Sequence, residues 1–133
     1  MEIRTHPYRL LIVDDAPAVR EALRWALEEA PDLEVVGEAG DGVEALERVT
    51  GLTPDMVILD VEMPRMDGYA VARTLKGMIS PPVIIFLSVH ADPASRQRAA
   101  DAGGDAFVAK GSGWDTLVEQ IRVERARAGD AST

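Results

Sequence analysis

The chain contains no cysteine, so its 133 residues can form neither a disulfide nor a thiolate site. Aromatic residues make up only 5% of the sequence, so Leu, Val, Ile and Ala must build the core. Basic residues are also in deficit, because 14 Lys and Arg oppose 23 Asp and Glu and give a formal net charge of -9. This balance argues against direct nucleic-acid binding, which needs a basic surface. It favours basic partners or a bound cation.

Long apolar runs are missing as well. The longest, 83–87, is far too short to cross a bilayer, and residues 1–7 lack the apolar stretch of a signal peptide. We therefore expect a cytoplasmic protein with no membrane partner. The length fits one domain, which we place at 8–125. Apolar periodicity is lost towards the end, so we interpret 126–133 as a tail or the start of a linker.

Five short apolar segments alternate with five segments of helical periodicity. The predicted strands are 8–13, 33–39, 55–60, 83–87 and 106–109. The predicted helices begin near Pro17, after Asp41, near Tyr69, at Pro93 and after Gly113. This alternation predicts an α/β fold with a doubly wound five-stranded parallel sheet and helices on both faces.

Two details of the helices are specific enough to check. In the second helix, Val43, Leu46 and Val49 are the expected buried positions. Trp25 lies off the apolar stripe of the first helix. We expect it to be a partly covered surface aromatic and not a binding anchor.

Chemically useful side chains follow four of the five predicted strands. These are Asp14 and Asp15, Asp60, Ser88 and Lys110. Each alone is more often a turn residue, a helix cap or a solvated surface group. The carboxyl ends of parallel strands share one edge of the sheet, however, and ligands bind at that edge. Five such residues at the ends of four strands favour a functional site.

A site with three carboxylates needs a positive charge that offsets their mutual repulsion. Two carboxylates about 4 Å apart repel by roughly 4 kcal/mol at an effective dielectric constant near 20. A hard divalent ion such as Mg²⁺ relieves this repulsion, because it prefers oxygen ligands and is typically held by carboxylates together with a phosphate. Lys110 adds a positive charge and Ser88 a hydroxyl. The set predicts phosphoryl transfer around a carboxylate nucleophile.

Five motifs extend this interpretation to a family. They are LLIVDDAPAVREAL, VVGEAGDGVEAL, PDMVILDVEMPRMDGYAV, VIIFLSVH and AGGDAFVAKG. In this order they resemble the receiver domain of two-component response regulators, over roughly residues 8–122. The segment VVGEAGDGVEAL most resembles the NarL-type subfamily. The resemblance implies the flavodoxin-like strand order 2-1-3-4-5.

The resemblance also implies functions for the acids. Asp60 would be the phosphoacceptor, which takes a phosphoryl group from the phosphohistidine of a sensor histidine kinase. Asp14, Asp15, Asp60 and the backbone carbonyl of Glu62 would hold Mg²⁺.

Other residues would respond to the phosphoryl group. Lys110 would contact it, Ser88 would be the switch hydroxyl and Phe107 the switch aromatic. Glu62 and His90 occupy the variable positions that tune the lifetime of the phosphoryl group in the family. Many receivers have Pro after the lysine, whereas this chain has Gly111.

The expected protein is therefore a signalling switch and not an enzyme, although it promotes its own Mg²⁺-dependent phosphorylation and dephosphorylation. Its output would be transcription regulation if a DNA-binding domain follows, and homodimerisation on phosphorylation is compatible with the family. Two alternatives remain open at this point: a phosphorylation-independent interaction module and a stand-alone single-domain regulator.

Overall fold

A computed structural model describes residues 6–129 of the chain. Residues 1–5 and 130–133 lie outside the described residues, and they include five residues of the predicted leading segment and half of the predicted tail. The strands are β1 (Tyr8–Val13), β2 (Leu33–Ala39), β3 (Met56–Asp60), β4 (Val83–Ser88) and β5 (Ala106–Ala109). The helices are α1 (Pro17–Glu28), α2 (Gly42–Leu52), α3 (Gly68–Lys76), α4 (Pro93–Asp101) and α5 (Trp114–Arg127).

The strands form one parallel sheet in the order β2-β1-β3-β4-β5. This confirms the predicted flavodoxin-like α/β fold. Consecutive residues of the central strands point to opposite faces, and both faces are buried. Leu11 and Val13 of β1 belong to the core shared with α2, α3 and α4, whereas Leu10 and Ile12 face α1 and α5. The apolar runs of the sequence therefore mark strands that are covered on both sides.

Helix α2 differs from the prediction in its buried face. Asp41 caps the helix by accepting a hydrogen bond from the Glu44 amide at 2.8 Å. The helix buries Ala45 and Val49 against the sheet, while Val43 is 38% exposed. The expected stripe through Val43 was therefore wrong. Residues 45 and 49 are four apart and share one helix face, from which position 43 is rotated.

Helix α5 reaches Arg127, beyond the expected loss of helical pattern near residue 125. Glu124 is buried, and the Arg125 guanidinium lies 4.9 Å from the centre of the Tyr8 ring, so tertiary contacts support the last turn. Trp25 is also more open than expected, with 71% of its surface exposed. Among residues 6–129, the structure contains no helix with the length and apolar character that a bilayer span requires.

Candidate functional site

The predicted site residues meet at the carboxyl edge of the sheet. Asp60 and Ser88 are the last residues of β3 and β4, while Asp14 and Lys110 follow β1 and β5 directly. Asp14 is 1% exposed, Asp60 is 7% exposed, and Asp15 is open to solvent. The edge therefore combines two buried carboxylates with one exposed carboxylate.

Lys110 connects the two buried acids. Its Nζ lies 2.8 Å from Asp14 Oδ2 and 3.5 Å from Asp60 Oδ1. The other oxygen of Asp14, Oδ1, accepts a hydrogen bond from the Ala16 amide at 2.9 Å. Asp14 is thus fixed by the lysine and by the start of α1, whereas the contact between Lys110 and Asp60 is longer.

This environment changes the proton affinity of both ion-pair partners. Burial, with the neighbouring charge of Asp14, raises the pKa of Asp60 from 3.8 to about 6, although Lys110 opposes the rise. Burial disfavours the charged form of Lys110, but its hydrogen bond to Asp14 and the charge of Asp60 outweigh this and raise its pKa. At neutral pH, Asp60 is therefore an ionised carboxylate whose burial and repulsion from Asp14 are only partly offset by Lys110.

The acid cluster fits a hard divalent cation. One carboxylate oxygen from each of Asp14, Asp15 and Asp60 lies within 4.8 Å of the others. Three ionised carboxylates and one ammonium leave a net local charge that a divalent ion would balance. Oxygen donors of this kind match the preference of Mg²⁺. Glu62, whose backbone carbonyl is the fourth predicted ligand, stands two residues after Asp60 in the following loop.

Two predicted tuning residues meet above this edge. His90 Nε2 lies 2.7 Å from Glu62 Oε1, and both side chains are more than 60% exposed. The Ser88 hydroxyl is buried and accepts a hydrogen bond from the His90 amide at 3.1 Å. The loops after β3 and β4 are therefore linked next to the site.

Phe107 lies half-buried on β5, opposite Phe86 of β4. The next pair on the same face of these strands joins Ser88 to Ala109. Phe107 and Ser88 are therefore on one face of the sheet, one pair apart along the strands. This placement puts the predicted switch hydroxyl and the predicted switch aromatic on the same face of the sheet.

Sequence reasoning missed Arg20 of α1. Its Nη1 donates to the backbone carbonyl of Asp14 at 2.6 Å, and its Nε donates to Glu38 Oε1 at 3.1 Å. The same glutamate accepts from Arg24 Nε at 2.7 Å. The two arginines tie α1 to β2, and Arg20 also ties α1 to the end of β1. A pair of basic residues four apart on α1 was the available signal, but nothing in the sequence placed Glu38 opposite them.

Gly68 was also missed as a site residue. A Cβ atom built at this position would lie 2.2 Å from the carbonyl oxygen of Asp60 and 2.9 Å from Val61 Cα. Only a residue without a side chain fits such a close backbone approach. The Gly68 amide donates to the Val61 carbonyl at 2.7 Å, which closes the loop after β3. The available signal was the Asp67-Gly68 pair at the start of α3, where the sequence indicated only a loop leading to a helix near Tyr69.

Known proteins resemble the chain both in sequence and in structure. A protein-glutamate methylesterase/protein-glutamine glutaminase of Symbiobacterium thermophilum is 44% identical over 108 residues, 80% of this chain and 30% of that protein. The receiver domain of the response regulator NarL from Mycobacterium tuberculosis superposes with a TM-score of 0.85 at 34% identity, over 89% of this chain and 95% of that one. The response regulator domain of Thermotoga maritima CheB superposes with a TM-score of 0.82 at 30% identity, over 89% of this chain and 96% of that one.

These relatives correct two expectations. The expectation of a switch that is not an enzyme is contradicted by the curated relatives, which carry the names of enzymes. The match covers only the receiver part, and the chain spans about a third or less of their length. The NarL-type assignment is not specifically supported either, because the structural neighbours include both NarL and CheB.

The family itself is shown by a match that covers most of the chain. The profile of the response regulator receiver domain aligns with residues 10–122, from the third residue of β1 to α5. This range includes the acid cluster, the serine and the lysine at the edge of the sheet. The chain therefore belongs to the response regulator receiver domain family.

Proposed function

We propose that Asp60 accepts a phosphoryl group from the phosphohistidine of a sensor histidine kinase and that this reaction switches the conformation of the domain. The observation that carries the proposal is the position of Asp60: a buried carboxylate at the end of β3, beside two further carboxylates and 3.5 Å from an ammonium group. Receiver domains interact with histidine kinases, which makes a phosphohistidine the expected donor.

The reaction requires an ionised nucleophile. With a pKa of about 6, Asp60 is deprotonated at neutral pH and can attack phosphorus through a carboxylate oxygen. The new P–O bond makes an acyl phosphate, the P–N bond to the imidazole breaks, and the nitrogen keeps the electron pair. Lys110, already beside Asp60, would hold a phosphoryl oxygen and compensate the added charge.

Receiver domains bind Mg²⁺ at an acidic pocket, and the carboxylates of Asp14, Asp15 and Asp60 form such a pocket here. We assign them as ligands together with the backbone carbonyl of Glu62. When bound, the ion would supply electrostatic stabilisation of the transferred phosphoryl group. Asp14 is held by Lys110 and the Ala16 amide, so its carboxylate is already oriented for this function.

The switch would begin at Ser88. Phosphorylation takes the charge at Asp60 from about -1 towards -2 and adds acceptor oxygens, which attract a hydroxyl donor. Ser88 Oγ now accepts from the His90 amide, so its own proton is available for donation. Movement of Ser88 would open space on the sheet face where Phe107 is half-buried. Glu62 and His90, joined above the site, would tune the lifetime of the phosphoryl group.

The test is mass measurement after incubation with acetyl phosphate and Mg²⁺. We expect the mass of one phosphoryl group to be added, with loss of labelling in Asp60→Asn and on removal of Mg²⁺. Asp55→Asn is a matched control, because Asp55 precedes the opposite end of the same strand and accepts from the Arg9 amide. Undiminished labelling of Asp60→Asn would overturn the assignment. Absent labelling of the wild type would favour a phosphorylation-independent interaction module.

The output is a separate proposal. We propose that the receiver controls a protein-glutamate methylesterase activity, since relatives with this name are 44% and 42% identical to the chain. Determining the sequence of the native gene product beyond residue 133 tests this. A methylesterase region would support the proposal, and a DNA-binding region in its place would refute it. Sedimentation of the phosphorylated protein would show whether homodimers form.

A further inference from the structure

Helix α4 has few apolar attachments to the sheet. Of its nine residues only Ala99 is buried, and its cap residue Ala102 adds a second small side chain. Helix α3, of equal length, buries five residues, including Val71 and Leu75. Apolar burial therefore holds α4 much less firmly than it holds its neighbour. Other contacts must contribute to its position.

Two arginines of α4 supply such contacts by stacking on aromatic rings. The guanidinium carbon of Arg96 lies 4.8 Å from the centre of the Phe107 ring, and that of Arg98 lies 4.5 Å from the centre of the Tyr69 ring. Both distances are within the range of a cation–π interaction. The helix is thus attached to β5 at one point and to α3 at another.

The two rings belong to one aromatic row. Phe86 of β4 is the register partner of Phe107, and its ring centre lies 5.6 Å from that of Tyr69. Phe86 is completely buried and Tyr69 is 5% exposed, so these two rings are fixed by the core. Phe107 is only half-buried. Among the three rings of the row, Phe107 is therefore the one with room to turn.

Arg96 makes a second contact that Arg98 does not share. Its Nε donates to the carbonyl of Ala91 at 3.0 Å. Ala91 lies in the loop between β4 and α4, three residues after Ser88. One guanidinium therefore joins the loop behind the serine to the ring of Phe107.

We propose that Arg96 is a positioning residue that holds Phe107 in its half-buried orientation and couples the ring to the loop after Ser88. The inference rests on the proposed switch at Asp60 and gives that switch a specific restraint. If the ring turns inward, Arg96 loses the surface on which it stacks, and α4 loses one of its two aromatic attachments. The attachment through Arg98 stays, because Tyr69 is fixed by the core.

The experiment uses the full chain with 4-fluorophenylalanine at both phenylalanines, observed by fluorine NMR. Phe86 serves as the internal reference, and a Phe107→Leu variant assigns the two signals. In Arg96→Gln without phosphodonor, we expect the Phe107 signal to move towards the position that acetyl phosphate and Mg²⁺ produce in the wild type. The rate of labelling by acetyl phosphate should rise about two- to fivefold, the range expected for the loss of one exposed cation–π contact.

Two matched variants separate this effect from a general loosening of α4. Arg96→Lys keeps a cation over the ring and should retain the wild-type signal, whereas Arg98→Gln should leave the Phe107 signal unchanged. An unmoved signal in Arg96→Gln, or an equal movement in Arg98→Gln, would overturn the proposal. If the proposed function of Asp60 fails, labelling is absent in every variant, but the signals without phosphodonor still test the contact between Arg96 and Phe107.

Discussion

Replacing Asp60 with Asn should make the metal-free protein more stable at neutral pH. The carboxylate is 7% exposed and lies in a cluster with Asp14 and Asp15. Burial and the charge of Asp14 raise its pKa from 3.8 to about 6. At 1.36 kcal/mol per pH unit, this difference corresponds to about 3 kcal/mol of lost folding free energy when Asp60 is ionised. An amide of the same shape avoids that loss.

The sign of the pH dependence follows from the raised pKa. The folded state binds the Asp60 proton more tightly than the unfolded state, so stability falls as the pH rises from about 4 to about 6. Above this window the loss is complete. The gain in Asp60→Asn should therefore approach about 3 kcal/mol at pH 8 and be close to zero below about pH 4.

Urea unfolding in the presence of a chelator measures this difference. Asp15→Asn is the matched control, because Asp15 belongs to the same cluster but is exposed, and it should change the free energy of unfolding by less than about 1 kcal/mol. Saturating Mg²⁺ should reduce the gain in Asp60→Asn, since the wild type then gains binding energy. A variant no more stable than the wild type at pH 8, or equally stabilised at pH 4, would refute the reasoning.

Three further changes test the contacts around the site. Lys110→Met leaves the 1% exposed Asp14 without its ion pair, and the free energy of unfolding in urea at pH 8 should fall by roughly 2–4 kcal/mol; an unchanged value would contradict the assigned pairing. Glu38→Gln should cost roughly 1–2 kcal/mol at pH 7, because two arginines outweigh burial and lower the pKa of Glu38. The stabilisation by ionised Glu38 is complete above pH 4.5 and is lost as the pH falls through the lowered pKa of the folded state. The melting temperatures of variant and wild type should therefore converge in acid. A difference that stays constant with pH would contradict this explanation. Gly68→Ala should lower stability by about 2–3 kcal/mol, because the new Cβ would meet the Asp60 carbonyl. The control Gly51→Ala, where a Cβ has open space, should be stabilised by about 0.5–1 kcal/mol in the same melts. Equal effects of the two substitutions would refute the close approach at Gly68.

Much of the site could be predicted from the sequence because each residue stands at the end of a strand. The apolar runs before Asp14, Asp60 and Lys110 mark buried strands, and parallel pairing brings their carboxyl ends to one edge. Spacing along the chain was sufficient for this step. The prediction of Val43 as a buried position failed because helix rotation depends on which residue contacts the sheet.

The contacts between side chains from distant segments could not be predicted in this way. Arg20 donates a hydrogen bond to the carbonyl of Asp14, and Arg96 stacks on the ring of Phe107. No sequence pattern indicates that either pair is in contact. A long arginine side chain reaches partners in several directions, so its position on a helix does not determine what it contacts. Helix packing against the sheet decides between these partners.

By itself, the sequence determined the order of strands and helices, the family and the set of acidic, hydroxyl and basic groups at one edge. These properties follow from local apolar periodicity and from residue types at strand ends. Only the tertiary structure decided that Asp14 is buried and paired with Lys110 while Asp15 remains exposed, although the two acids are adjacent in sequence. The physical reason is that consecutive side chains point in different directions, and solvent access depends on what packs over each of them.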